Sequence, residues 1–238
     1  MIGSVSAALL RGAALSSKER VDHALKGEDV DRAPFSIWHH FLDDSKPPEI
    51  HAQSTIAFHE KFHTDLVKVM SDYPYPKPAA EWFDLKVEQS PFPKQVRALE
   101  LVRDGLAGKG YFIETIFNPW NVAEKLSSPQ QVSALLQEKP QRLLDTLEII
   151  AKSEANHARR AVQAGASGVL LAIPNAQAGG VTAADYSQFS ETFDKMVLDA
   201  IPSAPLNVLH LHSDAKFGDK LYLNRFYTGW PASVINYS

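Results

Sequence analysis

Four histidines, one aspartate and three amides stand where apolar runs end, and they are the side chains best placed to do chemistry. They are His39 and His40, Asp72, Asn118, Asn175, His210 and His212, and Asn236. A carboxylate at the end of an apolar run, flanked by Tyr73 and Tyr75, suits cationic or N–H-bearing groups. It can stabilise developing positive charge or act as a general base. The plainer role for such a residue is a turn or helix-cap aspartate. His210 and His212 are two apart, so on a strand both point to one side. Such a pair can hold zinc with a carboxylate as third ligand, or one of the two can be a hydrogen-bonded core histidine. His39 and His40 are adjacent, so on a strand only one of them faces a site and the other meets the helix layer. Trp120 and the tyrosines suit the wall of a pocket for a flat, apolar ligand. Trp38 and Trp82 read as packing, and Lys152, Glu154, Arg159 and Arg160 as the solvated face of a long helix.

The elements that must position these residues alternate along the chain. A helix over about 17–26 is capped by Ser16 or Ser17 and stopped by Gly27. Asp31 to Pro34 is a turn, and Phe35 to Trp38 reads as a strand. A helix over about 54–62 leads to a strand at Leu66 to Met70. Three alternating prolines, at 74, 76 and 78, forbid helix in the loop beyond Asp72. A helix over about 94–106 precedes a strand at Tyr111 to Phe117. Helices follow from Pro129, with Ser128 as cap, and over about 141–163. The second carries Leu144, Leu147, Ile150, Ala151, Ala155, Ala158 and Val162 at helical spacing. Val169 to Ile173 is apolar throughout, as a strand covered on both faces should be. A helix capped by Thr182 runs to about Ala200, a strand lies at Leu206 to His212, a helix near 219–226, and a last strand at Ala232 to Asn236.

Six alternations of strand and helix predict an α/β fold with a parallel sheet and right-handed crossovers. The strand at Phe35 is followed by no glycine-rich phosphate loop, which disfavours nucleotide-binding α/β folds. The remaining common choice is a TIM-type (β/α)8 barrel of about 250 residues. The 238 residues supply about six of eight strand–helix units, so the barrel is expected to be incomplete in this chain. Residues 1–16 read as an N-terminal extension and 17–238 as the barrel domain. In such barrels the strand C-terminal ends converge on the active site, which brings the polar residues named above together.

Composition narrows the partners. The net charge of −4 gives no basic footprint for nucleic acid. The absence of cysteine excludes disulfides and thiolate metal ligands within this sequence, and fits a cytoplasmic protein. No apolar run approaches the ~20 residues that span a membrane. The stretch from Met1 to Leu15 is interrupted by Arg11 and lacks a preceding basic region, so a frayed helix is expected rather than a leader.

The order of these segments resembles the uroporphyrinogen decarboxylase superfamily from about Lys18 onward. Lys18-Glu19-Arg20-Val21, Ala24 to Glu28 and Asp31-Arg32-Ala33-Pro34 look like the family's N-terminal helix and entry to the first strand. Asp65 to Asp72 resembles the strand bearing the family's essential aspartate. Gly165 to Val169, Asn207 to His212 and Trp230 to Asn236 look like later strand entries.

The resemblance implies a barrel enzyme, often dimeric, of the cofactor-independent carboxy-lyase type, acting on a tetrapyrrole or related ligand. It would place Asp72, His40 and His212 in catalysis. His39, Tyr73, Tyr75, Asn118, Trp120, Asn175 and Asn236 would bind substrate. Relatives that transfer methyl groups between a corrinoid and a thiol use zinc held by a His-x-Cys pair where this chain has His210-Leu211-His212. That alternative implies zinc on His210 and His212 and a corrinoid-type ligand. A third reading is an inactive barrel fragment, with a homodimer or a complementing C-terminal chain as partner. Departures are visible: residues 37–42 contain none of the family's substrate-gripping arginines, and the tyrosine that follows its Pro-Trp is absent between Asn121 and Lys125.

Overall fold

The computed structural model describes residues 14–41, 46–178, 181–212, 221–226 and 228–237. Five strands, β1 (Leu66–Val69), β2 (Tyr111–Phe117), β3 (Val169–Ile173), β4 (Val208–Leu211) and β5 (Val234–Tyr237), form one parallel sheet whose spatial order equals their chain order. Helices α1 (Ser17–Lys26), α2 (Pro48–Phe62), α3 (Pro93–Leu106), α4 (Pro119–Leu126), α5 (Pro129–Glu138) and α6 (Pro140–Gln163) come before β3. A composite helix follows it: α7 (Ala183–Tyr186), a π turn (Ser187–Glu191) and α8 (Thr192–Asp199). This is the arrangement of an incomplete TIM-type barrel.

Each face of the sheet has its own core. Leu171, Ile173, Leu209 and Leu211 pack outward with Ala158 of α6 and with Val197 and Leu198 of α8. Ile113, Leu170, Ala172 and Val208 face the lumen, where Val21 of α1 closes one end. Burial on both faces accounts for the unbroken apolar sequence of β3. Gly168 leads into that strand where a Cβ would come within 2.2 Å of the Leu206 carbonyl oxygen, so only glycine admits the crossing.

α1 is fastened by ion pairs as well as by packing. Its Ser16–Glu19 capping box is complete. Arg20 donates to Asp31 and Asp65, both at 2.6 Å, and Arg32 also pairs with Asp65. The Phe35 N–H donates to the same carboxylate at 3.0 Å. The Lys18 to Pro34 signature is thus a clamp built around a buried aspartate.

Three expected elements differ. Phe35 to Trp38 forms no strand. It lies beside β1 through Asp65 N–H to Phe35 O, at 2.9 Å, and Ser36 Oγ to Leu66 O. Its outer side is solvent, with Phe35, Ile37 and Trp38 exposed, so no full ladder forms and the sheet has five strands rather than six. The helix near 219–226 lies partly outside the described residues, and within them only a 3-10 turn at Leu223–Arg225 is present. α4 occupies a segment to which the sequence reading assigns no element, opened by the Asn118 side chain accepting from Asn121 N–H and by Pro119 in its first turn. The frayed helix expected before Leu15 falls largely outside the described residues.

Candidate functional site

Asp72 sits three residues beyond β1, its side chain nearly buried. The His40 Nδ1–H donates to one carboxylate oxygen at 2.6 Å and the Phe41 N–H to the other at 3.2 Å. His51, buried on α2, donates from Nε2 to the Met70 carbonyl and holds Nδ1 3.7 Å from Asp72. His39 turns the opposite way and stacks on Phe58 of α2. The adjacent histidines therefore divide as strand alternation requires: His40 serves the strand end and His39 the helix layer.

Asp72 and Tyr73 open onto a cavity of about 230 Å3 whose other walls include Tyr75, Phe117, Lys125 and Glu154. Lys125 comes from α4 and lies over the Phe117 ring. Its outer part stays exposed, yet loss of hydration at the cavity wall pulls the ammonium down to about 8, against the nearby Glu154 carboxyl. Glu154, on α6, is only 2% exposed, and its buried Oε2 has no hydrogen-bond partner. Burial, reinforced by Glu114 and opposed by Lys125, raises that carboxyl well above the ordinary range. Reading Glu154 as part of the solvated face is corrected here. It lies on the buried stripe of Leu147, Ile150 and Ala158, a periodicity that was visible in the sequence.

Behind this cavity Glu114 is fully buried on the outward face of β2. It accepts from Gln95 Nε2 at 2.8 Å and pairs with His157 Nε2 at 3.0 Å. Gln95 also donates to the Met70 carbonyl, which ties α3 to the end of β1. Gln95, Glu114 and His157 escape sequence reasoning because each stands alone in its own element.

The remaining expected site residues fall into two other places. His210 and Asn236 face the lumen, with His210 Nδ1 2.5 Å from Asn236 Oδ1, in a cavity of about 420 Å3 that also holds Lys68 and Trp38. Trp38 is exposed there, contrary to a packing role, and the Lys68 ammonium lies 4.4 Å from its ring. Loss of hydration lowers Lys68 to about 8 and lowers His210 below its usual range.

His212, Trp120 and Asn175 line a third cavity, of about 410 Å3, on the helix side. Asn118 is fully buried, and its amide nitrogen donates to Asn175, Ser190 and Asp194 while its oxygen caps α4. Its polar atoms are engaged within the protein. The residues expected to converge at the strand ends therefore lie in three compartments.

The rings of His210 and His212 are 5.9 Å apart. Among the described residues no group of three or more metal-ligating side chains forms. No helix among the described residues is long and apolar enough to cross a membrane.

Comparison with known proteins places this architecture. No curated protein matches the chain. Solved structures similar to it include a methyltransferase from Methanosarcina mazei, 21% identical with a TM-score of 0.64 over 85% of this chain and 71% of that one. A further similarity, with a TM-score of 0.41, is to the putative vitamin-B12 independent methionine synthase from Listeria monocytogenes. It is 6% identical over 69% of this chain and 54% of that chain. The first likeness establishes the fold. A family model, uroporphyrinogen decarboxylase, matches residues 73–222, a span that begins beside Asp72 and includes Tyr75, Lys125 and Glu154. With more than half of its length matched and the barrel architecture in place, the chain belongs to the uroporphyrinogen decarboxylase family.

Proposed function

We propose that the protein is a cofactor-independent carboxy-lyase of this family, acting at the Asp72 cavity on a carboxylic acid that carries a ring N–H. The observation that supports this reading is the Asp72 carboxylate itself, fixed by His40 and Phe41 and facing an aromatic-walled cavity at a strand C-terminal end. Such a carboxylate accepts the ring N–H. When the ring carbon bearing the side chain is protonated, it offsets the positive charge that develops. The bond to the carboxylate then breaks, carbon dioxide leaves, and the electron pair forms an exocyclic double bond that neutralises the ring. A proton added to that exocyclic carbon and loss of the proton first placed on the ring restore the aromatic ring with a methyl group. His40 is a positioning residue here, since its Nδ1–H orients Asp72.

The test is release of labelled carbon dioxide from uroporphyrinogen and from single-ring pyrrole acids, using the full chain. Asp72→Asn should lower release by roughly 10²–10⁴-fold. Release unchanged in that variant would sink the reading, and release from none of these acids would leave only family membership.

Methyl transfer is a second reading, favoured by the paired imidazoles at the end of β4. A catalytic zinc site uses three protein ligands, of which His210 and His212 would be two. Purified protein given zinc and then dialysed should hold less than one equivalent, unaffected by His212→Ala. One equivalent lost in that variant would restore the methyltransferase reading.

A further inference from the structure

Lys68 stands in an apolar lumen with no carboxylate beside it. Alternation along β1 turns Leu66 and Lys68 to the lumen and Val67 and Val69 to the helix layer. The walls around the amine include Ile113 of β2, Leu170 of β3 and Val208 of β4. Among the described residues lining this cavity of about 420 Å3, Lys68 is the only lysine or arginine, and there is no aspartate or glutamate. The other polar side chains there are engaged. Ser36 donates to the Leu66 carbonyl, Ser233 to the Pro205 carbonyl, and His210 to Asn236. A lysine ordinarily reaches open water or meets a carboxylate. Lys68 is instead half-buried, with its ammonium over the Trp38 ring at 4.4 Å. Loss of hydration at the apolar wall lowers it to about 8, so free amine is available near neutrality. Trp38 itself is 52% exposed, which leaves the cavity open to an entering molecule.

We propose that Lys68 is a carbonyl-binding amine, which forms an imine with a small, apolar aldehyde that enters the lumen past Trp38. The carbon–nitrogen bond forms as the amine attacks the carbonyl carbon. The carbonyl oxygen takes two of the three protons of the original ammonium and leaves as water. The nitrogen keeps one proton and its positive charge, as an iminium. Charge is the same before and after, so the Trp38 ring that faces the ammonium faces the iminium too. A lysine desolvated in an apolar pocket is the arrangement that favours this addition. The cavity volume lies within the range of about 300–1,000 Å3 typical of small-molecule sites, and Ile113, Leu170 and Val208 suit the apolar body of the aldehyde. This cavity is not that of Asp72, so the assignment stands or falls apart from the lyase reading.

The experiment treats the full chain with benzaldehyde and sodium cyanoborohydride, which reduces an imine to a stable benzylamine. Peptide mass spectrometry then locates the added mass. Lys86, whose side chain is 86% exposed, serves as internal reference. Lys68 should be benzylated at least about tenfold faster than Lys86 at neutral pH. Its rate should level off as benzaldehyde is raised. Benzyl alcohol, which fills the same space without a carbonyl, should protect Lys68 and leave Lys86 unprotected. Lys68→Arg, whose guanidinium forms no imine under these conditions, should abolish the fast phase.

Labelling of Lys68 no faster than that of Lys86 would overturn the proposal. So would fast labelling that neither saturates nor is blocked by benzyl alcohol, since that marks a reactive amine without a binding site. A fast phase that persists in Lys68→Arg, shown to be folded by circular dichroism, would put the imine on another lysine and overturn it as well.

Discussion

Among single residues, Asp65 carries the heaviest structural duty. Its carboxylate is completely buried and is shared by Arg20, Arg32 and the Phe35 N–H. Burial alone would raise its pKa, but Arg32, the Phe35 N–H and Arg20 outweigh burial and hold the carboxyl below the ordinary range. Stability linked to it is therefore present above the unfolded value of about 3.9 and is lost as pH falls through the lower folded value. Asp65→Asn should cost about 1–3 kcal/mol, since Arg20 keeps its pair with Asp31 but loses one charge-assisted hydrogen bond, and urea unfolding at neutral pH measures it. Asp65 and Asp72 were equally visible in the sequence as the two ends of one apolar run. Which one faces a cavity and which one clamps a helix depends on Arg20, 45 residues earlier, and spacing alone does not show that. Glu154 differs, because its phase on α6 declared it buried and charge alone argued otherwise.

At the scale of elements, the composite helix after β3 is the least regular. Its π turn precedes Asp194, which is buried and accepts from Asn118, Ser190 and Tyr186. Burial raises the Asp194 carboxyl to about 7, against those three hydrogen bonds. The sign is opposite to that of Asp65: the contribution is fully present below the unfolded value of about 3.9 and fades as pH rises through about 7. Parent stability should thus fall between pH 5 and pH 8 relative to Asp194→Asn, as compared by urea midpoints. Equal pH dependence in the two proteins would contradict a buried, titrating Asp194. The apolar strands and the capped helices were legible because period and capping are local. The π turn was not, since one extra residue in a helical turn leaves no mark in an apolar pattern. The lost first strand was misread for a related reason: Phe35 to Trp38 has strand composition, but a ladder needs partners that composition does not reveal.

At the scale of the molecule, β5 pairs with β4 on one side and, among the described residues, with no strand on the other. Val234 and Tyr237 on β5 are exposed, as are Phe35, Ile37 and Trp38 on the far side of the sheet. An apolar edge with free N–H and carbonyl groups is a template for another strand. We expect concentration-dependent self-association in sedimentation, reduced by Val234→Lys, because a lysine on an edge disfavours strand addition. A concentration-independent monomer in the parent would contradict it. The architecture itself was legible from alternation, while the splitting of the polar ring into three cavities was not, because it depends on which helix roofs each strand end.

The sheet order β1-β2-β3-β4-β5 repeats the order of synthesis. Each strand finds its neighbour already made, so the sheet grows in one direction as the chain leaves the ribosome, with no strand held open for a later arrival. The backbone edge of the newest strand is then the growing front, and a pause in translation after β3 leaves that edge unpaired until β4 arrives, and Leu171 and Ile173 without Val197 and Leu198 until α8 is made. Slower translation between residues 173 and 208 is therefore expected to lower the folded yield, as measured by soluble protein per chain made.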